Sequence, residues 1–322
     1  MQLIRGLHNS QPYLSGCALT IGNFDGVHLG HQAILRHLRQ KANALNLPMA
    51  VMLFEPQPRE YFMGDKAPAR LMRLRDKLHY LAEAGVDVVI VAKFDRQAGV
   101  DVVIVAKFDR TFANLPAEQF IEDWLVRKLN VKFLSIGDDF KFGAKRLGNF
   151  AMLQEAGKQF GFEVEDSRTF CLDELRISST AIREALAKDD LQHAQNLLGK
   201  PYRIFGRVIH GNKLGRTIGF PTANVRLHRQ VNPVKGVYAV KVRLKSGEIF
   251  NGVANMGKRP TINGTIQLLE VHLFDFSQNI YGQMVEVEFC HKIRDEIKFP
   301  SFEALKAQIE QDVKTAKAFF AK

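Results

Sequence analysis

A change of pattern near residue 178 constrains this chain most. Before it, short apolar runs alternate with helical stretches. Residues 17–22 read as a strand, 30–45 as a helix and 49–54 as a second strand. Residues 71–84 read as a helix with Leu71, Leu74, Leu78 and Leu81 on one face. An apolar strand, a helix over 116–129, a strand over 132–137 and a helix over 150–160 follow. Strands that take turns with helices pair in parallel through right-handed crossovers. Beyond 178, two helical stretches, 179–188 and 191–198, lead into Gly199-Lys200-Pro201. Strands then follow one another over 202–210, 236–244, 249–255, 266–274 and 284–291, with turn residues between them. That order suits an antiparallel barrel. An amphipathic helix over 301–320 closes it. A chain of 322 residues exceeds what one core holds. The expectation is an α/β domain over 1–186, built on a Rossmann-like parallel sheet, and an antiparallel β-barrel domain with a C-terminal helix over 187–322.

One segment breaks the pattern. Residues 84–96 recur unchanged as 98–110, with Gln97 between the copies. Two copies are too few for a repeat architecture. Each reads as one buried parallel strand, and the sheet needs only one. The expectation is that one copy fills the sheet and the other forms a poorly packed loop or an added edge. An unpaired apolar strand is an aggregation hazard.

The formal charge of +11 admits either a nucleic-acid partner or small polyanionic substrates. Lys and Arg are scattered, with no block of five like charges, which argues against nucleic acid. No apolar run approaches a membrane span, and residues 1–16 lack the pattern of a secretory leader. Cys17, Cys171 and Cys290 are far apart and odd in number, which fits a reducing cytoplasm.

Two stretches carry chemistry. Residues 21–31 read Ile-Gly-Asn-Phe-Asp-Gly-Val-His-Leu-Gly-His, a strand end running into a helix. Gly22, Gly26 and Gly30 let the backbone approach a ligand, and helix N-termini attract phosphate. His28 and His31 share a face at the helix entry and can donate to a triphosphate. A zinc site is the competing reading, although no further ligand stands at suitable spacing. Residues 176–183 read Arg-Ile-Ser-Ser-Thr-Ala-Ile-Arg. Ser178, Ser179 or Thr180 can cap the following helix, and Arg176 and Arg183 add planar donor forks. The segment is either a plain cap or the second wall of a nucleotide pocket.

The second stretch, residues 211–224, reads Gly-Asn-Lys-Leu-Gly-Arg-Thr-Ile-Gly-Phe-Pro-Thr-Ala-Asn. Gly211, Gly215 and Gly219 make a loop able to fold over phosphates, with charge from Lys213 and Arg216. Thr222 and Asn224, two apart, point to one side of an extended segment and offer hard oxygen ligands for Mg²⁺. A plain Gly-rich hairpin remains the alternative. In 268–274, Glu270 and His272 share one strand face while Leu269, Val271 and Leu273 share the other. Glu270 is either a general base or a surface carboxylate.

His28-Leu-Gly-His31 together with Arg176-Ile-Ser-Ser-Thr180 resembles the signatures of the nucleotidyltransferase superfamily. The longer Gly-Asn-Phe-Asp-Gly-Val-His-x-Gly-His is similar to the FMN adenylyltransferase module of bacterial FAD synthetases, as are Phe54-Glu-Pro-Gln-Pro58 and the stretch from Gly137 through Asp139 to Gly143. The 211–224 motif, Asn255-Met-Gly-Lys-Arg-Pro-Thr261 and Lys292-Ile-Arg-Asp-Glu-Ile-Lys-Phe299 resemble the riboflavin kinase module. The duplicated segment departs from the family pattern. The resemblance implies a bifunctional enzyme of flavin cofactor biosynthesis. Its barrel would phosphorylate riboflavin to FMN, and its nucleotidyltransferase-like domain would adenylylate FMN to FAD with release of pyrophosphate.

It further implies catalytic roles for His28, His31, Arg176, Ser179 and Thr180 in adenylylation and for Glu270 in activating the riboflavin 5′-hydroxyl. ATP, with Mg²⁺, and the flavins would be bound by Gly22, Asn23, Phe24, Asp25, Gly30, Asp139 and Arg183 in the first domain. In the second, Gly211, Lys213, Gly215, Arg216, Gly219, Pro221, Asn255 and Arg294 would bind them, and Thr222 and Asn224 would hold the metal. The expected partners are small molecules, for a monomer or weak homo-oligomer. Three alternatives stand beside this: a riboflavin kinase alone, its adenylyltransferase impaired by segment 84–110; a basic nucleic-acid-binding protein; and a flavin-storage protein.

Overall fold

The computed structural model describes residues 2–5, 16–92, 109–137, 139–167, 177–211, 219–227, 231–261 and 264–322. Arg176, Lys213, Gly215, Arg216 and Cys171 lie outside the described residues, as do residues 98–108 of the second repeat copy. The chain divides into two compact units. One comprises Met1–Pro68 and Arg73–Ser178, the other Ala69–Met72 and Ser179–Lys322.

The first unit is built on a six-stranded sheet of β1 (Gln2–Arg5), β2 (Cys17–Ile21), β3 (Met49–Phe54), β4 (Val88–Ala92), β5 (Val131–Ile136) and β6 (Glu163–Asp166). Every pair is parallel, in the order β1-β4-β3-β2-β5-β6. The five residues of β2 are all buried, as a central strand covered on both faces requires. Cys17, Leu19 and Ile21 alternate into one core with Ala50, Met52, Leu134 and Ile136. Each large apolar side chain buried there contributes about 1.5–3 kcal/mol. Short strands β1 and β6 form the edges, where the sequence pattern gives no strand.

The helices are α1 (Leu29–Ala44), α2 (Pro58–Met63), α3 (Leu74–Glu83), α4 (Arg110–Ala113), α5 (Ala117–Gln119) and α6 (Phe150–Phe160). After α5 the expected α-helix runs instead as a π-helix, Phe120–Lys128, closed by Leu129 N–H donating to the Trp124 carbonyl at 3.0 Å. It buries Phe120, Ile121 and Leu125.

The tandem copies divide their labour. The first copy supplies β4, between β1 and β3. Its Asp87 carboxylate fixes the strand entry, accepting from Met49 N at 2.9 Å and from Arg39 at 2.7 Å. The second copy supplies, at its end, the cap of α4: the Asp109 carboxylate accepts from Phe112 N at 3.0 Å.

The second unit closes a barrel from β7 (Arg203–Ile209), β8 (Ala223–Arg226), β9 (Gly236–Arg243), β10 (Ile249–Thr261), β11 (Gly264–Leu273) and β12 (Met284–Arg294), in the order β10-β11-β8-β7-β12-β9. Neighbouring strands are antiparallel, and closure leaves no free edge. α7 (Ser179–Ala187) and α8 (Leu191–Leu198) precede the barrel, and α9 (Phe302–Phe320) follows it. The Ser301 hydroxyl caps α9, accepting from Ala304 N at 3.2 Å. Ala316 of α9 packs with Val237, Ala239, Val253 and Phe274.

Candidate functional site

In the first unit the strand order reverses between β2 and β5. From β2 the chain builds outward through β3 and β4, and from β5 it builds the other way to β6. Open α/β sheets bind ligands outside the carboxyl ends of the strands at such a reversal. The Gly-Asn-Phe-Asp-Gly-Val-His turn leaves β2 there, and the loop through Asp139 leaves β5 there.

The turn is tightly made. Gly22 N–H still donates to the Met52 carbonyl at 3.1 Å, continuing the sheet. Phe24 and Val27 then take positive φ, 45° and 42°, on either side of Gly26 at 95°. Bulky and β-branched residues in that region cost about 1–3 kcal/mol each and persist only where their surroundings impose it. Here Phe24, Asp25 and Val27 are buried. Val27 N–H donates to the Phe24 carbonyl at 3.2 Å, and the Gln32 amide donates to the Val27 carbonyl at 2.9 Å.

His28 caps α1: its Nδ1 accepts from His31 N at 3.3 Å, so a neutral ring carries its proton on Nε2. The two imidazoles stack with centroids 3.6 Å apart, and Phe24 lies 4.7 Å from His31. Gly30 is tightly enclosed, because a Cβ there would meet the His28 ring at 3.2 Å and the Ile177 carbonyl at 3.3 Å. The start of the Ile-Ser-Ser-Thr element therefore lies against the His-x-Gly-His helix entry. Ser179 and Thr180 open α7, and the Arg183 guanidinium donates to the Ala69 carbonyl within the second unit. Asp139 precedes Phe140, whose N–H donates to the Gly137 carbonyl at 3.0 Å. Buried Asn23 Oδ1 has no hydrogen-bond partner among the described residues.

Sequence reasoning missed a cavity of about 550 Å³ at the same edge of the sheet. Phe54, at the end of β3, lines it with Phe62, Phe112, Phe120, Phe140 and Phe142. The Phe140 and Phe142 rings stack at 5.6 Å, and Phe54 lies 5.7 Å from Phe112. Arg59, Lys141, Lys145 and Arg146 add positive charge to its lining. Its walls come from three distant chain segments, so no local spacing betrays it. The only available sequence signal was the density of Phe around 54–62 and 140–142.

In the barrel, cross-strand register assembles the second site. Asn224 of β8 lies opposite Glu270 of β11, and Glu270 lies opposite Asn255 of β10. Directly opposed residues share a face. The alternate residues Val225, Leu269, Val271 and Met256 fill the buried face. Gly211 lies against the Asn224 amide, 2.1 Å from where a Cβ would stand. His272 Nδ1–H donates to the Pro221 carbonyl at 2.9 Å, fixing the residue before Thr222. Thr222 and Pro221 line a second cavity of about 550 Å³ with Phe276, Ile280 and Tyr281. Asn255 Oδ1 is buried without a partner among the described residues. Gly219 has φ 87° on the far side of the loop.

Arg294 is placed differently from the other expected binding residues. Its Nε and Nη2 clasp the Asp312 carboxylate of α9 at 2.7–3.1 Å, and its Nη1 donates to the Asp295 carbonyl at 2.9 Å. That geometry ties β12 to the closing helix. Among the described residues no group of three His, Cys, Asp or Glu is arranged to hold a metal ion, and no helix is long and apolar enough to cross a membrane.

Comparison with known proteins finds a different family in each half of the chain. The riboflavin kinase family model matches residues 198–320. The FAD synthetase model matches residues 10–98 and 96–181, breaking inside the duplicated segment. A bifunctional riboflavin kinase/FMN adenylyltransferase of Haemophilus influenzae is 80% identical over 320 residues, covering 99% of each chain. Proteins of the same description from Escherichia coli K12 and Pseudomonas fluorescens are 56% and 48% identical, covering 99% and 100% of this chain and 98% of their own. A crystal structure from Streptococcus pneumoniae, described as a macrolide-efflux protein, superposes with a TM-score of 0.74 at 30% identity and covers 96% of each chain.

Proposed function

The chain belongs to the bifunctional riboflavin kinase/FMN adenylyltransferase family, and on that premise we propose how its two sites divide the work. The barrel half, 187–322, phosphorylates riboflavin to FMN. The α/β half, 1–186, joins FMN to the adenylyl group of ATP to give FAD. The observation that carries the reading is the row Asn224–Glu270–Asn255, with Thr222 at the adjoining cavity.

In the kinase reaction Glu270 accepts the proton of the riboflavin 5′-hydroxyl as the hydroxyl oxygen attacks the γ-phosphorus of ATP, and ADP leaves as the bond to the β-phosphate oxygen breaks. Mg²⁺ bound with ATP would neutralise phosphate charge. The Thr222 hydroxyl and the Asn224 amide oxygen are hard donors that suit it, since Mg²⁺ keeps most of its shell as phosphate and water. Gly211, Gly219 and Pro221 shape the nucleotide loop together with Lys213, Gly215 and Arg216, and Asn255 accepts a hydroxyl.

In adenylylation a phosphate oxygen of FMN attacks the α-phosphorus of ATP, and pyrophosphate leaves. No covalent enzyme intermediate is required, so catalysis is positioning and charge stabilisation. The α1 N-terminus, His28 and His31 receive the triphosphate, with Arg176, Ser179, Thr180 and Arg183 supplying further donors. Gly22, Asn23, Phe24, Asp25, Gly30 and Asp139 form the bed of the nucleotide. The aromatic cavity suits the flat isoalloxazine ring, and its basic side chains suit the FMN phosphate. Filling of the β4 position by the first repeat copy favours retention of this activity. The protein works on small molecules in the cytoplasm.

Incubation with riboflavin, ATP and Mg²⁺, followed by separation of the flavins, tests the whole scheme. FMN should form first and FAD after it. FMN without FAD would reduce the protein to its kinase half.

A further inference from the structure

Lys77 of α3 is 1% exposed, yet its side chain is the kind that helices normally turn to water. A buried ammonium is costly unless polar groups surround it. Its Nζ donates to the main-chain carbonyl of Asn23, 54 residues away, inside the turn that joins β2 to α1. The hydrogen bond lies within the first unit.

The peptide that follows Asn23 is a rigid plane in which the carbonyl of Asn23 and the N–H of Phe24 point in opposite directions. Drawing the carbonyl inward to Lys77 therefore turns the Phe24 N–H outward. Phe24 then enters the positive-φ region, and the chain proceeds through Gly26 and Val27 to the His28 cap. Alternating backbone conformations of this kind gather N–H groups into an anion-binding concavity. Asn23 Oδ1, buried and without a partner among the described residues, marks the same residue as shaped for something beyond the fold.

We propose that Lys77 is a positioning residue for adenylylation, holding the Asn23 carbonyl so that the Gly22–His28 turn presents its N–H edge to the ATP triphosphate. The proposal rests on reading the first unit as the adenylyltransferase. Lys77 touches neither substrate, and its effect passes through the backbone of the turn.

The test uses the full chain with Lys77→Met and Lys77→Arg, and measures both reactions in each. Methionine matches the length of the lysine stem and brings no charge of its own into the buried position. Lys77→Met should raise KM for ATP in adenylylation about tenfold, with KM for FMN and the kinase reaction within about twofold of wild type. Lys77→Arg, which keeps the charge but not its reach, should fall between. Adenylylation by Lys77→Met with KM for ATP and kcat within about twofold of wild type would overturn the proposal. If Lys77→Met loses kinase activity too, through misfolding, Lys77→Arg decides, and an unchanged KM for ATP there overturns it. A wild-type chain that makes FMN but no FAD would sink the underlying reading and this proposal together. Wild-type FAD synthesis with unaltered variants would sink the proposal alone.

Discussion

Glu270 on β11 stands directly opposite Asn224 on β8, with Asn255 of β10 opposite Glu270 on its other side. The ladder thus places a carboxylate between two amides, beside the loop that carries Thr222. Glu270→Gln keeps the shape and removes the proton acceptor. FMN formation should fall about 10²- to 10⁴-fold, while conversion of supplied FMN to FAD should stay at the wild-type rate. Flavin separation from parallel incubations checks both.

His31→Ala should act in the opposite sense. It removes one ring of the stacked pair at the α1 entry. The expected loss in FAD formation is about 10²- to 10³-fold, the scale of one charge-stabilising donor. Riboflavin phosphorylation should be unaffected. Equal loss of both steps in this variant would argue against separate sites.

Phe62 lines the aromatic cavity and is 67% exposed, so its truncation costs the fold little. An aromatic contact is worth about 0.5–1.5 kcal/mol beyond buried area. Phe62→Ala should therefore raise KM for FMN in adenylylation by roughly threefold to tenfold and leave KM for ATP alone. Steady-state kinetics with each substrate varied separates the two.

Asp87 supplies a pH signature. Partial burial acts to raise its pKa, but the hydrogen bonds from Arg39 and Met49 N–H outweigh that and hold the carboxyl below its ordinary value. A carboxylate with a lowered folded-state pKa stabilises above its unfolded value, about 3.9, and loses that stabilisation as pH falls through the folded value. The side chain is 44% exposed, so its contribution is under about 1 kcal/mol. Asp87→Asn should be less stable than wild type at pH 6, with the gap closing toward pH 3, on the order of that contribution. The single tryptophan, Trp124, lies in the same unit and reports its unfolding by fluorescence.

Deleting residues 97–110 leaves one copy of the 13-residue segment. The remaining copy should both fill β4 and cap α4, roles now split between Asp87 and Asp109. FAD formation should match or exceed that of the full chain, and less protein should aggregate on heating, as light scattering would register.

Legibility in the sequence followed locality. The turn after β2 was readable because its glycines, histidines and helix start are contiguous, and the face pairing of Glu270 with His272 followed from a period of two. Lys77 was not. In the 71–84 pattern the leucines marked the buried stripe, yet α3 begins at Leu74 and turns Asp76 and Lys77 inward beside Leu81. A lysine at that position reads as solvent-facing until the distant Asn23 carbonyl is known. The π-helix was equally hidden, since its offset of hydrogen bonds leaves little trace in residue type. The pairing of Arg294 with Asp312 was hidden too, because Asp312 lies 18 residues on, in a separate element.

The two compact units are not laid end to end along the chain. The backbone passes between them after Pro68, after Met72 and again after Ser178, and the excursion Ala69–Met72 belongs to the barrel-bearing unit. Leu71 is fully buried, and the Ala69 carbonyl receives the Arg183 guanidinium. A gene split at Ser178 would therefore separate Ala69–Met72 from the rest of their compact unit. Its downstream product would lack a four-residue strip of its own structure, so the physical seam of this protein and any single point of severance fall in different places.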